Sequence, residues 1–243
     1  PRISLAFKGW ARHPALSFAR NFRPEQDIRL HSYHDVYLQV FESGFLLLDR
    51  AFNPLSASYP YALPQHVNHL RNREPSRCLG HVFYAGDRLA PRNYCHWISD
   101  YMPRILIAQD LRPGIPIHVP RYLAKSFQRE SLDFFGVPNG AVRNLPNGFY
   151  HCEELHFLDS STHRFQRYFQ HGNAAYAQPL LRRLPRPQRP PTERLWLMRG
   201  ETKIRHLLNE PEVHRLVQQF GFRPVNPGTM PFADQVELMM SAT

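Results

Sequence analysis

The chain has 243 residues, of which 42% are hydrophobic, so it can build a core and does not have the composition of a disordered protein. It carries a net charge of +10 from 27 arginines, three lysines and 20 acidic residues. A basic excess is compatible with nucleic acid, an acidic membrane surface or a phosphate-bearing substrate, but lysine is rare and the dense runs of mixed cations that are typical of nucleic-acid-binding tails do not occur. No apolar stretch approaches the length of about 18 residues that a membrane-spanning helix needs.

The first 184 residues alternate strand patterns with helix patterns. Residues 35–40 and 44–49 predict a β-hairpin joined through residues 42–44. Short apolar runs predict further strands at 79–85, 115–119 and 155–158, and helices are predicted at 93–111, 121–135 and 173–184. Strands that alternate with helices indicate an α/β fold with a mainly parallel sheet covered on both faces.

A proline-rich stretch divides the chain. Residues 185–192 hold four prolines, which exclude helix and central strand and predict a stiff linker. We therefore expect one domain at 1–184 and a second at 193–243. The second is predicted to run strand 194–198, helix 209–220, strand 222–225 and helix 231–242. A doubly wound sheet needs more than two strands, so we expect this domain to be truncated.

The segment 93–104, which reads NYCHWISDYMPR, carries the most informative pattern. Four of its polar residues follow one another at steps of three and four and would share one helix face. They are Asn93, His96, Asp100 and Arg104, and the opposite, apolar face is formed by Tyr94, Trp97, Ile98, Tyr101 and Ile105. His96 and Asp100 can hydrogen-bond one turn apart, which would tune either as a base. A solvated helix face with a chance His–Asp pair is the open alternative.

A second segment, residues 199–209, follows a predicted strand and precedes a predicted helix. Ligands of open α/β sheets bind at this edge, and a helix N-terminus favours anions. Arg199, Lys203 and Arg205 place cations here, and Asn209 is the predicted N-cap. The composition suits a diphosphate, with a basic loop on an arginine-rich protein as the open alternative. Between 182 and 205, eight cations and two acids give a net charge of +6.

The cysteines and carboxylates predict no metal site. Cys78, Cys95 and Cys152 are far apart, without a CxxC motif or a disulfide-framework spacing. We expect them to be free thiols in a reducing compartment. No Asp-x-Asp pair of the kind that grips a metal–nucleotide complex occurs.

The two segments resemble the family 61 glycosyltransferases, known in bacteria as capsular polysaccharide biosynthesis proteins. Segment 93–104 is similar to the family's Asn-Tyr-x-His-Trp-x-x-Asp-x-x-Pro-Arg signature. The second block matches at Arg199, Arg205, Asn209, Gly221, Phe222, Phe232 and Gln235. The resemblance runs from about Leu79 to the end. It implies a GT-B architecture of two Rossmann-like domains, with the acceptor side in 1–184 and the incomplete nucleotide-sugar side in 193–243.

The resemblance also implies a reaction and residues that carry it. The reaction is the inverting transfer of a sugar from a nucleotide-sugar donor to a glycan acceptor, without a required metal or other cofactor, in capsular or other surface polysaccharide synthesis. Asp100, with His96 beside it, would be the catalytic base site, and the choice between them stays open. Substrate binding would fall to Asn93, Trp97 and Arg104, and binding of the donor diphosphate to Arg199, Lys203, Arg205 and Asn209.

Further expectations follow from the same resemblance. The family's next block, a strand and a Gly-x-His-Gly-Ala-type loop, would begin after Thr243, so we expect an active enzyme from the intact protein and none from 1–243. The expected location is cytoplasmic, with peripheral membrane association through a lipid-linked acceptor and no nucleic-acid partner. Two alternatives stay open: a non-catalytic binding protein for an anionic polymer such as polysaccharide or RNA, and a different α/β enzyme using His96 and Asp100.

Overall fold

In a computed structural model of the chain, the described residues are 2–3, 28–42, 44–55, 67–86, 92–159, 174–186, 190–198 and 207–242. They belong to two compact units. The first comprises residues 1–125 and 137–183, and the second comprises 126–136 and 184–243. The short segment 126–136 thus groups with residues that follow it by almost 50 positions. The domain boundaries drawn from the proline-rich stretch stay a prediction.

The first unit is built on a seven-stranded sheet. Its strands are β1 (Arg2–Ile3), β2 (Ile28–Phe41), β3 (Gly44–Leu48), β4 (Arg77–Tyr84), β5 (Ile117–Pro120), β6 (Val142–Leu145) and β7 (Gly148–Asp159). The strand order is β1-β2-β7-β4-β5-β6, with β3 paired to β2. The predicted hairpin is confirmed, since β2 and β3 pair antiparallel with Phe41 opposite Gly44.

The sheet is mixed, so the expectation of a mainly parallel sheet is wrong for its β2 side. Strands β7, β4, β5 and β6 pair in parallel. Strand β2, however, pairs antiparallel with β7 from Arg29 to Val40. The pattern at 155–158 showed only part of β7, which is 12 residues long and lies against the 14-residue β2. An antiparallel pair needs no crossover helix, and therefore the alternation of strands and helices did not reveal it.

The α-helices of the described residues are α1 (Tyr94–His96), α2 (Met102–Leu111), α3 (Ser126–Phe134), α4 (Ala174–Arg183), α5 (Glu210–Gln218) and α6 (Phe232–Met240). A π-helical turn, Trp97–Tyr101, joins α1 to α2 without a break, and we call the continuous run 94–111 the site helix. Helix α3 begins five residues later than predicted. Arg121 and Ala124 have φ of 57° and 50°, which a right-handed helix does not accommodate.

Both faces of the sheet are covered at β3, as predicted. Phe45 and Leu47 enter one buried cluster with residues of β2, β4 and β7. Their neighbours Leu46 and Leu48 enter a second cluster on the other face, with Phe149. Alternate residues of a strand point to opposite faces, so a strand buried at every position has core on both sides.

The second unit has the predicted order of strand, helix, strand and helix. Strands β8 (Leu195–Leu197) and β9 (Arg223–Val225) are parallel, with α5 between them and α6 after them. Helix α3 packs on α6, where the ring of Phe232 meets Phe134 and Phe135 edge-on at 5.4 and 5.9 Å. The Phe232 N–H donates to Oε2 of Glu130 on α3 at 2.8 Å. None of the described helices is long and apolar enough to cross a membrane.

Candidate functional site

The site helix starts at a capped N-terminus. Asn93 precedes α1, and its Oδ1 accepts hydrogen bonds from the backbone N–H groups of Cys95 at 3.0 Å and His96 at 3.3 Å. An asparagine in this position satisfies N–H groups that have no partner inside the helix. The structure thus gives the Asn93 side chain a capping duty, and its part in substrate binding stays a prediction.

A π-helical turn follows the cap. The Met102 N–H donates to the carbonyl of Trp97, five residues back, which inserts one extra residue into the turn that contains Asp100. Single π turns inside α-helices occur frequently at functional sites. All residues from Tyr101 to Ala108 are buried. The helix beyond Asp100 is therefore not the solvated surface helix of the alternative interpretation.

His96 and Asp100 are brought together as predicted. The His96 Nδ1 lies 3.0 Å from Oδ2 of Asp100, and the side chains are 25% and 16% exposed. An ionised carboxylate only accepts hydrogen bonds, so the proton of this contact belongs to the imidazole Nδ1. The neutral ring then carries its lone pair on Nε2. This pair can therefore accept a proton at Nε2 while the carboxylate stabilises the charge that forms.

Trp97 fixes the turn from inside. Its ring is fully buried, and it stacks on Tyr101 at 5.9 Å and on Tyr122 at 5.7 Å between ring centroids. A ring enclosed in this way offers no exposed face to a sugar. In the structure Trp97 packs inside the turn that contains Asp100, and its part in substrate binding stays a prediction. The contribution of Tyr122 could not be found by sequence, because it lies in an irregular segment 25 positions away.

Arg104 anchors the site helix to the sheet. It is 1% exposed, and its Nη1 donates to the carbonyl of Gly86 at 2.8 Å. Gly86 follows the carboxyl end of β4, the edge where ligands of parallel sheets bind. A Cβ at this position would lie 2.1 Å from the ring of Tyr84, so a side chain does not fit. Sequence reasoning missed Gly86, although a glycine just after a strand was a readable signal.

The pKa of Cys95 is affected by the negative charge of Asp100. Its pKa is raised by burial and then by the carboxylate of Asp100, against the opposing effect of a hydrogen bond with Ser99. Desolvation and a nearby anion both disfavour a thiolate. Cys95 is therefore a protonated thiol near neutral pH. All three cysteines are free, as predicted.

The predicted diphosphate segment is described only in part. Arg199, Lys203 and Arg205 lie outside the described residues. Asn209 is exposed and occupies the N-cap position of α5, but its side chain makes no capping hydrogen bond. Its ψ of 34° departs from the extended backbone that is typical of a capping residue. Asn209 therefore occupies the predicted N-cap position but does not make the hydrogen bond of a capping side chain.

No metal centre is visible in the described part of the chain. Within those residues, no group of three or more His, Cys, Asp or Glu side chains is arranged to hold an ion. The independence of the reaction from metals stays a prediction.

Comparison with known proteins identifies a family for these elements. The family model described as glycosyltransferase 61 matches residues 94–243, which is more than half of the chain. The match begins at the first residue of α1 and includes His96, Asp100 and the strand–helix–strand–helix order of the second unit. No curated protein is significantly similar to the chain.

Proposed function

Because the chain belongs to the glycosyltransferase 61 family, we propose that it transfers a sugar from a nucleotide-sugar donor to a glycan acceptor with inversion at the anomeric carbon. The observation that carries this proposal is the 3.0 Å contact between His96 Nδ1 and Asp100 Oδ2 at the start of the matched region. The proposed setting is surface polysaccharide synthesis at the cytoplasmic side of a membrane, on a lipid-linked acceptor. The proposed architecture is GT-B.

An inverting transfer needs a base. The acceptor hydroxyl attacks the anomeric carbon directly, and its proton must leave as the new bond forms. We assign the proton to Nε2 of His96, the ring nitrogen opposite the Asp100 contact. Asp100 is the less exposed partner, at 16% against 25%, and it holds the ring by Nδ1. Its carboxylate would then stabilise the imidazolium, as in a Ser-His-Asp triad.

The leaving diphosphate needs cations. Arg199, Lys203 and Arg205 are proposed to neutralise it, with Asn209 beside them. The support is their charge and their place in the sequence, since they follow β8 in a parallel strand–helix–strand unit. Cations aimed at the departing oxygens lower the barrier because charge develops there in the transition state. Trp97 and Arg104 are proposed to keep the base site in place.

The test is a transfer assay on the full-length protein with a panel of nucleotide sugars and glycan acceptors. Release of nucleoside diphosphate gives the rate, and NMR of the product gives the anomeric configuration. His96→Gln is expected to lower kcat about 100-fold or more, the usual effect of removing a general base. Asp100→Asn is expected to lower kcat less and to shift the acidic limb of the pH–rate profile.

The chain offers matched controls for both substitutions. Asp110 lies on the same helix and pairs with Arg183 at 2.5 Å, so Asp110→Asn tests a carboxylate loss away from the site. His81→Gln tests an exposed histidine that pairs with Glu154. Both are expected to leave kcat unchanged. Full transfer activity in both site variants would remove the catalytic assignment. Polymer binding with steep salt dependence and no donor binding would favour the non-catalytic alternative.

A further inference from the structure

A second cluster of reactive side chains lies on the sheet of the first unit, outside the proposed transferase site. Cys78 on β4 is the register partner of His151 on β7, and its Sγ lies 3.4 Å from His151 Nδ1. The other ring nitrogen, Nε2, lies 2.7 Å from Oδ1 of Asp35 on β2. Three adjacent strands thus line up a thiol, an imidazole and a carboxylate in that order.

We propose that Cys78 is a nucleophilic thiol and a site of reversible modification by low-molecular-weight disulfides. His151 Nδ1 accepts the thiol proton, and the imidazolium formed is stabilised by the Asp35 carboxylate at Nε2. The thiolate attacks one sulfur of the small disulfide, whose S–S bond breaks as a mixed disulfide with Cys78 forms. The departing sulfur leaves as a thiolate and takes the proton from His151. Cys78 is oxidised to the disulfide level, and the released half of the reagent is reduced to a thiol.

Asp35, which supplies the carboxylate, has an unusual backbone conformation. Asp35 has a φ of 55°, a left-handed region that residues other than glycine seldom adopt. The antiparallel ladder is regular on both sides, with His34 opposite Glu154 and Val36 opposite Cys152. The distortion is therefore confined to the residue whose carboxylate contacts His151. Strained positions of this kind concentrate at functional sites.

The thiol is accessible to a small reagent. Cys78 is exposed, and it lines an open cavity of about 580 Å³ together with His151 and Asp35. The charged side chains that line the cavity beside the cluster are Arg50, which pairs with Asp35, and Glu74. Glu153, two residues along β7 from His151, lies on the same face of the sheet. The ring centroids of Tyr37 and His151 lie 5.5 Å apart. Arg77 precedes Cys78 on β4, and its positive charge works to lower the pKa of Tyr150 and of His118.

The other two cysteines provide internal contrasts. Cys152 is buried, and burial raises its pKa to about 12. Cys95 is exposed like Cys78, but partial burial of its thiol and the carboxylate of Asp100 raise its pKa. Reactivity of a cysteine follows its thiolate fraction and its exposure. Of the three, Cys78 has an imidazole to accept its proton, so it is expected to react first.

The test is alkylation by iodoacetamide between pH 6 and pH 10, with the rate at each cysteine read by mass spectrometry of the same sample. At pH 7, Cys78 is expected to react about tenfold faster than Cys95. His151→Asn is expected to slow Cys78 about tenfold at pH 7 and to leave its rate above pH 9.5 unchanged. His81→Asn, on the same strand as Cys78, is the control and should change neither rate. Oxidised glutathione should form its first mixed disulfide at Cys78.

The same data show whether each variant is folded, because Cys152 stays unreactive only while the core is intact. If His151→Asn makes Cys152 reactive and is therefore unfolded, Asp35→Asn is the variant that tests the proposal. Asparagine also tolerates the left-handed backbone at position 35, so this variant is expected to fold. Asp35→Asn should slow the alkylation of Cys78 at pH 7, but by a smaller factor than His151→Asn does. Equal rates for Cys78 and Cys95 in the wild type would overturn the proposal. So would a Cys78 rate that is insensitive, at pH 7, to the loss of its imidazole or carboxylate in a folded variant.

Discussion

Acid is expected to destabilise the first unit through His118. This residue lies on β5, between β4 and β6, and it is 6% exposed. Burial lowers its pKa from 6.5 to about 4, with further contributions from the charges of Arg143 and Arg77. Its Nδ1 is buried and has no hydrogen-bond partner within the described ranges. The native protein therefore keeps a neutral imidazole at a pH where the unfolded chain already binds a proton.

The sign and size of the effect follow from this difference. Between pH 6.5 and pH 4 the unfolded state binds more protons than the native state, so the free energy of unfolding falls as the pH falls. The full difference between 6.5 and about 4 corresponds to a loss of about 3 kcal/mol, complete below pH 4. His156, whose pKa is also lowered mainly by burial, adds a loss in the same direction.

Urea unfolding at pH 7 and pH 4.5 measures the effect. Wild type is expected to lose about 2 kcal/mol more than His118→Leu between these pH values, because the variant has no imidazole to protonate. Arg143→Gln should reduce the loss, since it removes a charge that keeps His118 neutral. His69→Leu replaces an exposed histidine and should behave as wild type. Identical pH dependence in wild type and His118→Leu would refute the reasoning.

Three further substitutions test the packing around the site and in the second unit. Gly86→Ala would place a Cβ against the Tyr84 ring, so it should lower both stability and transfer activity. Gly80→Ala on β4 is its control, because a Cβ there would make only an ordinary contact with Glu153 at 3.7 Å. Phe232→Ala empties a position that is 3% exposed and should cost about 3 kcal/mol in the urea unfolding of the second unit. Asn93→Ala removes the cap of the site helix and should cost about 1 kcal/mol, whereas Asn93→Asp should restore most of it. Unchanged unfolding midpoints in these variants would contradict the packing described.

Local patterns predicted the elements that depend on neighbours in sequence. The hairpin of β2 and β3, the site helix and the order of the second unit each rest on spacings within about 20 residues. The His96–Asp100 contact belongs to the same class, since a separation of four residues brings two side chains together on any helix. These parts of the fold and of the site could therefore be predicted from the sequence alone.

Long-range pairing was not accessible in the same way. The antiparallel ladder that sets Arg29 opposite Asp159 joins residues 130 positions apart, and no periodicity in the sequence predicts this pairing. That ladder and its neighbour bring Asp35, His151 and Cys78 together from three separate segments. The π turn was not predicted either, and the helical spacing therefore assigned two residues to the wrong face: Arg104, expected on the polar face, is 1% exposed, and Tyr94, expected on the apolar face, is 41% exposed. The anchoring of Arg104 likewise depends on a carbonyl 18 residues away.

The most direct test of the account is the pH dependence of sugar transfer by Asp100→Asn compared with Asp110→Asn on the same helix. If His96 accepts the acceptor proton while Asp100 holds its Nδ1, Asp100→Asn loses activity and its pH–rate profile moves, and Asp110→Asn retains the wild-type rate and profile. A wild-type rate and profile in Asp100→Asn would contradict the central claim that this pair is the base of a glycosyltransferase.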